Sequence, residues 1–353
     1  MSSLCLDCAA VNLARENFTE NSHTRGDVGV IRHGTLAALK HSSSYCALCR
    51  LLLHIIQHYS FGVDPLNEEQ KWTARWDSHD GHATFGYPYR NLPEIVGSTI
   101  VPQLQTGGSL HDVSMSCRNR IQLVDDADTN RPLRARLLSS TTDVDMIRRW
   151  IAKCNGEHGP NCKESKPLPR ARCDNLLCVD VHEKCLVTID STSDYIALSY
   201  VWGPWNEPQT RIENFSQFSK PGALALISLP RTISDSIAVA EALGYRYLWV
   251  DSLCIVQDLD VEKIELIRRM DAVYGNANLT IVAASGENVQ YGLSGWDVTQ
   301  GQRRNLDIET VGPGLRIGVL PDLELGLQKS FHATRGWTYV YLLFPYTFFV
   351  PTI

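Results

Sequence analysis

Residues 229–258, LPRTISDSIAVAEALGYRYLWVDSLCIVQD, decide the fold. Ile233, Ile237, Ala240 and Leu243 fall on one face at helical spacing, Thr232 is placed to cap the start, and Gly244 to end the helix. The next stretch, YRYLWVDSLCIV, carries the apolar run of a buried strand. The alternation continues in both directions. YIALSYVWG (195–203) is a β-rich run closed by a turn at Gly203 and Pro204. A second helix is expected from Asp260, with Ile264, Ile267, Met270 and Tyr274 in register, and ANLTIVAAS (277–285) reads as a third strand. Strand, helix, strand, helix, strand predicts an α/β fold with parallel strands and right-handed crossovers.

Upstream, LLCVDVHEKCLVTI (176–189) sets short apolar runs on either side of a turn-like centre, the pattern of a hairpin. In TLAALKHSSSYCALCRLLLHIIQHY (35–59), Leu48, Leu51, Leu52, Ile55 and Ile56 mark an amphipathic helix beginning near Cys46. Residues 65–120 read as strands and loops punctuated by Gly107 and Gly108, and Val144, Ile147 and Ile151 mark a further helix. The expected organisation is a mixed, largely helical, cysteine-containing region over 1–170, a connector or hairpin over 171–194, and the α/β domain over 195–353.

A net charge of −6 and a pI near 6.0 over 353 residues give no electrostatic reason to expect nucleic acid. The opening MSSLCLDCAAVNLAREN lacks a basic segment followed by an unbroken apolar core, so a cytoplasmic protein is expected. Eleven cysteines in a chain without an export signal read as thiols or metal ligands rather than disulfides. The tail RGWTYVYLLFPYTFFVPTI carries no charge after Thr338. It is shorter than the roughly 20 residues of a membrane helix and is broken by Pro345 and Pro351, so no membrane span is expected.

Four blocks occur in a recognisable order: YIALSYVWG, LPRTISDSIAVAEALGYRYLWVDSLCIVQD, MDAVYGNANLTIVAASGENVQYGLSG (270–295) and RGWT (335–338). Together they resemble the fungal heterokaryon incompatibility (HET) domain. Upstream, the Cys5–Cys8 pair, the CALCRLL block and a Trp150, Cys154, His158, Cys162 segment resemble what often precedes such domains. The resemblance implies a TIR-like or flavodoxin-like parallel sheet and a role in non-self recognition after hyphal fusion, ending in growth arrest or programmed cell death. It implies as partner another incompatibility protein or a second copy of the chain.

Enzymatic TIR domains cleave the nicotinamide–ribose bond of NAD with a glutamate. The family pattern after RGWT is an aromatic residue and then Gln-Glu, whereas here Tyr339, Val340 and Tyr341 follow. The domain therefore reads as truncated or divergent after Thr338. Its activity, if present, would be that of an NAD glycohydrolase; the alternative is a non-catalytic recognition or scaffold module.

Asp251 ends the strand YLWVD, where open α/β sheets place ligand sites, and is the catalytic candidate; equally it can brace its loop. Gln257 and Asp258 share that loop with Cys254, which reads as a buried structural thiol because no histidine lies nearby in sequence to activate it. Trp202, beside Gly203, either stacks on a planar ligand or fills the core under the turn. Arg335, near Trp337, either holds a phosphate or pairs with Asp251. Cys5–Cys8 and Cys46–Cys49 have the spacing of a structural zinc knuckle, or are small core residues. Cys154, His158 and Cys162 form a second possible metal set.

Overall fold

A computed structural model describes residues 4–11, 13–19, 30–59, 68–69, 71–79, 97–105, 120–124, 141–157, 175–190, 192–204, 208–296, 307–320, 326–327, 329–334 and 348–349. They fall into two compact units, 1–138 with 304–325 and 139–303 with 326–353.

In chain order the first unit supplies α1 (Leu6–Ala9), α2 (Arg15–Thr19), β1 (Val30–Thr35), α3 (Leu36–Ser43), α4 (Ala47–Tyr59), β2 (Lys71–His79), β3 (Gly97–Gln105) and β4 (Arg120–Leu123). The second supplies α5 (Val144–Glu157), β5 (Leu176–Asp180), β6 (Cys185–Ile189), β7 (Tyr195–Ser199), α6 (Ile212–Phe218) and α7 (Arg231–Leu243). It continues with β8 (Tyr247–Trp249), α8 (Asp251–Cys254), α9 (Asp260–Arg268), α10 (Met270–Asn276) and β9 (Leu279–Val282). A hairpin of β10 (Ile308–Gly312) and β11 (Leu315–Leu320) belongs to the first unit, and β12 (Phe348–Phe349) to the second. The two units thus interleave along the chain.

The first unit corrects the expectation of a largely helical region. It is organised by an antiparallel sheet in the order β1-β2-β3-β4-β11-β10. Period-two positions Trp72, Ala74 and Trp76 on β2, Ile121 and Leu123 on β4, and Ile317 and Val319 on β11 are all buried in one cluster. The same cluster takes Leu48, Leu51, Leu52, Ile55 and Ile56 of α4, so the amphipathic face read from the sequence is the one that is buried. At about 1.5–3 kcal/mol for each fully buried aliphatic side chain, those five residues contribute roughly 10 kcal/mol of gross burial. At the edge, Arg50 is paired with Glu309 at 2.5 Å and His54 with Asp307 at 2.9 Å.

The second unit holds a mixed sheet in the order β12-β9-β7-β8-β5-β6. β7, β8 and β9 run parallel, β12 adds parallel to β9, and the β5–β6 hairpin joins β8 antiparallel. The sheet is therefore not wholly parallel: residues 176–189 form the expected hairpin, which is an integral edge of the sheet.

Local details also differ from the expectation. Pro230, not Thr232, precedes α7, and Thr232 lies within the helix with its hydroxyl accepting the Gly292 N–H at 3.0 Å. Gly244 does end that helix, at φ +86. Of the expected second strand only Tyr247–Trp249 joins the sheet as a strand, and Asp251 opens a short helix. The helix expected from Asp260 is two helices, α9 and α10, separated at Arg269. Among the described residues no helix is long and apolar enough to cross a membrane.

Candidate functional site

Loops leaving the carboxyl ends of β7 and β8 carry the site, as they do in open sheets of parallel strands. Asp251 stands directly beyond β8 and is 6% exposed. Trp202, in the loop beyond β7, donates its indole N–H to the two carboxylate oxygens at 3.0 and 2.9 Å. The Ser252 N–H donates to one of them at 2.8 Å, and the Ser252 hydroxyl accepts from Tyr200 at 3.0 Å. Bonds to a charged acceptor are the strong kind, so this clasp fastens the β7 loop to α8.

Thr210 and Gln257 secure the same short helix from the other side. Thr210 donates from its backbone to the Ser252 carbonyl at 3.0 Å and from its hydroxyl to the Leu253 carbonyl at 2.6 Å. Gln257 donates from Nε2 to the carbonyls of Asp251 and Ile255, at 3.0 and 3.1 Å. Asp258 accepts the Ile212 N–H at 3.0 Å, which satisfies a free donor at the start of α6.

Cys254 bonds to the strand backbone before it. Its sulfur takes the Val250 N–H at 3.2 Å, and burial pushes its thiol up to about 12, which suits a structural residue and not a nucleophile.

Gly203 is required by space as well as by backbone. Its φ is +68, and a Cβ there would lie 2.4 Å from Asn288 Cβ. Residues 285–296 are pinned to α7: Thr232 donates its N–H to the Val289 carbonyl at 2.9 Å, and Asp235 accepts the Leu293 N–H at 2.8 Å.

Trp202, Asp251 and Gln257 are thus brought together, with Gly203 and Asp258 supporting the loops around them. Arg335 and Trp337 lie outside the described residues. One pair escaped the sequence reading. Ser199, the last residue of β7, has its hydroxyl 2.7 Å from His332 Nε2, and both residues are buried. At 133 residues apart, no local pattern connects them.

The cysteines of the first unit converge. The sulfurs of Cys5, Cys8, Cys46 and Cys49 all lie within 4.8 Å of one another. The Cys46 thiol is held well below its ordinary range by thiol hydrogen bonds from Cys49 and Cys8. For the other set, Cys154 falls in α5, and its side chain, together with His158 and Cys162, lies outside the described residues.

Residues 195–340 match the family described as Heterokaryon incompatibility protein (HET). Over 120 residues the chain is 31% identical to the Neurospora crassa protein named Heterokaryon incompatibility protein 6, OR allele. That stretch is 31% of this chain and 16% of the relative, so the alignment spans well under a quarter of the relative's length. No solved structure matches the chain.

Proposed function

We propose that this chain, a HET-domain protein, is a fungal incompatibility-type protein of the cytoplasm. It acts in non-self recognition after hyphal fusion, with growth arrest or cell death as the outcome. Its HET domain serves as a recognition module that engages another incompatibility protein or a second copy of the chain, and not as the catalyst.

One observation carries the non-catalytic reading. Both oxygens of the buried Asp251 carboxylate are taken by Trp202, and one of them also by the Ser252 N–H. A carboxylate that stabilises oxocarbenium-like charge on the ribose of NAD must reach that ribose. Asp251 instead accepts one indole N–H shared between its two oxygens and one backbone N–H, bonds that hold two loops in place, and Gln257 and Thr210 reinforce the same arrangement.

The test is genetic. Deleting the gene in the fungus that encodes it should abolish rejection of at least one tester strain that the parent rejects, and reintroducing the chain should restore that rejection. A deletion strain that rejects every tester as the parent does would overturn the proposed role.

A further inference from the structure

We propose that Cys5, Cys8, Cys46 and Cys49 together bind one structural zinc ion, which fastens α1 to the start of α4. The geometry is that of a tetrathiolate site. Zinc–sulfur bonds of about 2.3 Å in a tetrahedron set sulfurs about 3.8 Å apart. Here Cys5 Sγ lies 3.7 Å and Cys8 Sγ 3.6 Å from Cys49 Sγ, and all four sulfurs are within 4.8 Å of one another. A disulfide would bring one pair to about 2.05 Å, and all four cysteines are free thiols.

Ordinary packing explains buried cysteines one at a time, as small apolar residues. It supplies no reason for four sulfurs, from segments more than 35 residues apart in the chain, to meet at one point. The two pairs also repeat one local design. Cys5 is the residue before α1 and Cys8 the third residue within it; Cys46 and Cys49 stand in the same positions on α4. Each helix start thus presents two sulfurs on one side.

The site is closed, which argues for structure and against catalysis. Four protein ligands fill a tetrahedron, and Cys8, Cys46 and Cys49 are fully buried, so no coordination position is left for water. Zinc takes all four sulfurs as thiolates, so binding releases the protons that the thiols still hold. α1 is only four residues long and exposes Leu6 almost completely, so helix propagation alone contributes little to holding it.

The experiment uses the full chain purified from zinc-supplemented culture. Elemental analysis should find about one zinc per chain. Replacement by cobalt should give the intense visible and sulfur-to-metal charge-transfer bands of a tetrahedral thiolate site. Cys46→Ser should lose the metal, and Cys185→Ser, a buried thiol of the other unit, should keep it. The cobalt spectrum of the unsubstituted chain decides the matter even where Cys46→Ser fails to fold. A chain that carries no zinc, carries iron in its place, keeps its zinc in a folded Cys46→Ser variant, or gives a cobalt spectrum without thiolate bands would overturn the assignment.

Discussion

Gly203→Ala is expected to destabilise the second unit strongly, and the size of the effect follows from two separable costs. An L-residue forced into the left-handed region at φ +68 costs about 1–2 kcal/mol. The new methyl would also stand 2.4 Å from Asn288 Cβ and 3.2 Å from Asn288 Cα, so the 285–296 loop has to retreat. Overpacking of this kind costs about 1–3 kcal/mol. Together the two give about 2–5 kcal/mol, or roughly 5–20 °C in Tm for a unit of this size.

Gly244→Ala isolates the first cost. It has φ +86 and nothing within 4 Å of the added atom, so it should lose only about 1–2 kcal/mol. Thermal unfolding by circular dichroism, combined with hydrogen exchange on residues 195–204 and 285–293, reads both variants. Gly203→Ala should open those two segments together. A Gly203→Ala variant no less stable than Gly244→Ala refutes the close approach of the two loops.

Three further perturbations test the packing around the site and in the first unit. Asp180 accepts the N–H groups of His182 and Glu183, each at 3.0 Å, and Arg246 Nε at 2.8 Å, so Asp180→Ala should cost about 2–4 kcal/mol in chemical unfolding. Burial acts to raise the Asp180 carboxyl, but the Glu183 N–H, Arg246 and the His182 N–H outweigh it and hold the group low. Its stabilisation should therefore be complete above about pH 4 and fade as the pH falls further, a dependence that Asp180→Asn removes. His54 is lowered by burial, which outweighs Asp307, and by the neighbouring His58. Stability of the first unit should accordingly decline as the pH falls below about 6.5, and His54→Gln should flatten that decline in pH-dependent unfolding. Thr232→Val removes the acceptor of the Gly292 N–H and should cost about 1–2 kcal/mol, with faster exchange confined to residues 289–293.

Much of the second unit was legible because its signals are local. The α7 face, the Gly244 stop and the 176–189 hairpin each lie within one window of sequence, and each is present in the fold. Thr232 was misread as a cap because a hydroxyl near a helix start can serve either the helix or a distant donor, and Gly292, 60 residues away, claims it. Strands were expected over 65–120, but how the sheet of the first unit is completed was hidden for a related reason. Its strands β4 and β11 pair across nearly 200 residues, and only together do their alternating apolar positions make a face for α4. At the candidate site, position beyond a strand end was enough to single out Asp251, but not to choose between its roles. That choice depends on Trp202, 49 residues upstream, whose N–H occupies the carboxylate. The cysteine pairs were legible by spacing, whereas their convergence required the fold.

Whether Asp251 braces or catalyses is tested most directly by incubating the purified full chain with NAD, alone and fused to a scaffold that forces oligomerisation, and measuring nicotinamide release for wild type and Asp251→Asn together. The predicted result is no release above a protein-free control from either form. Release by the wild type that is lost in a folded Asp251→Asn variant would contradict the bracing role and make Asp251 a catalytic residue.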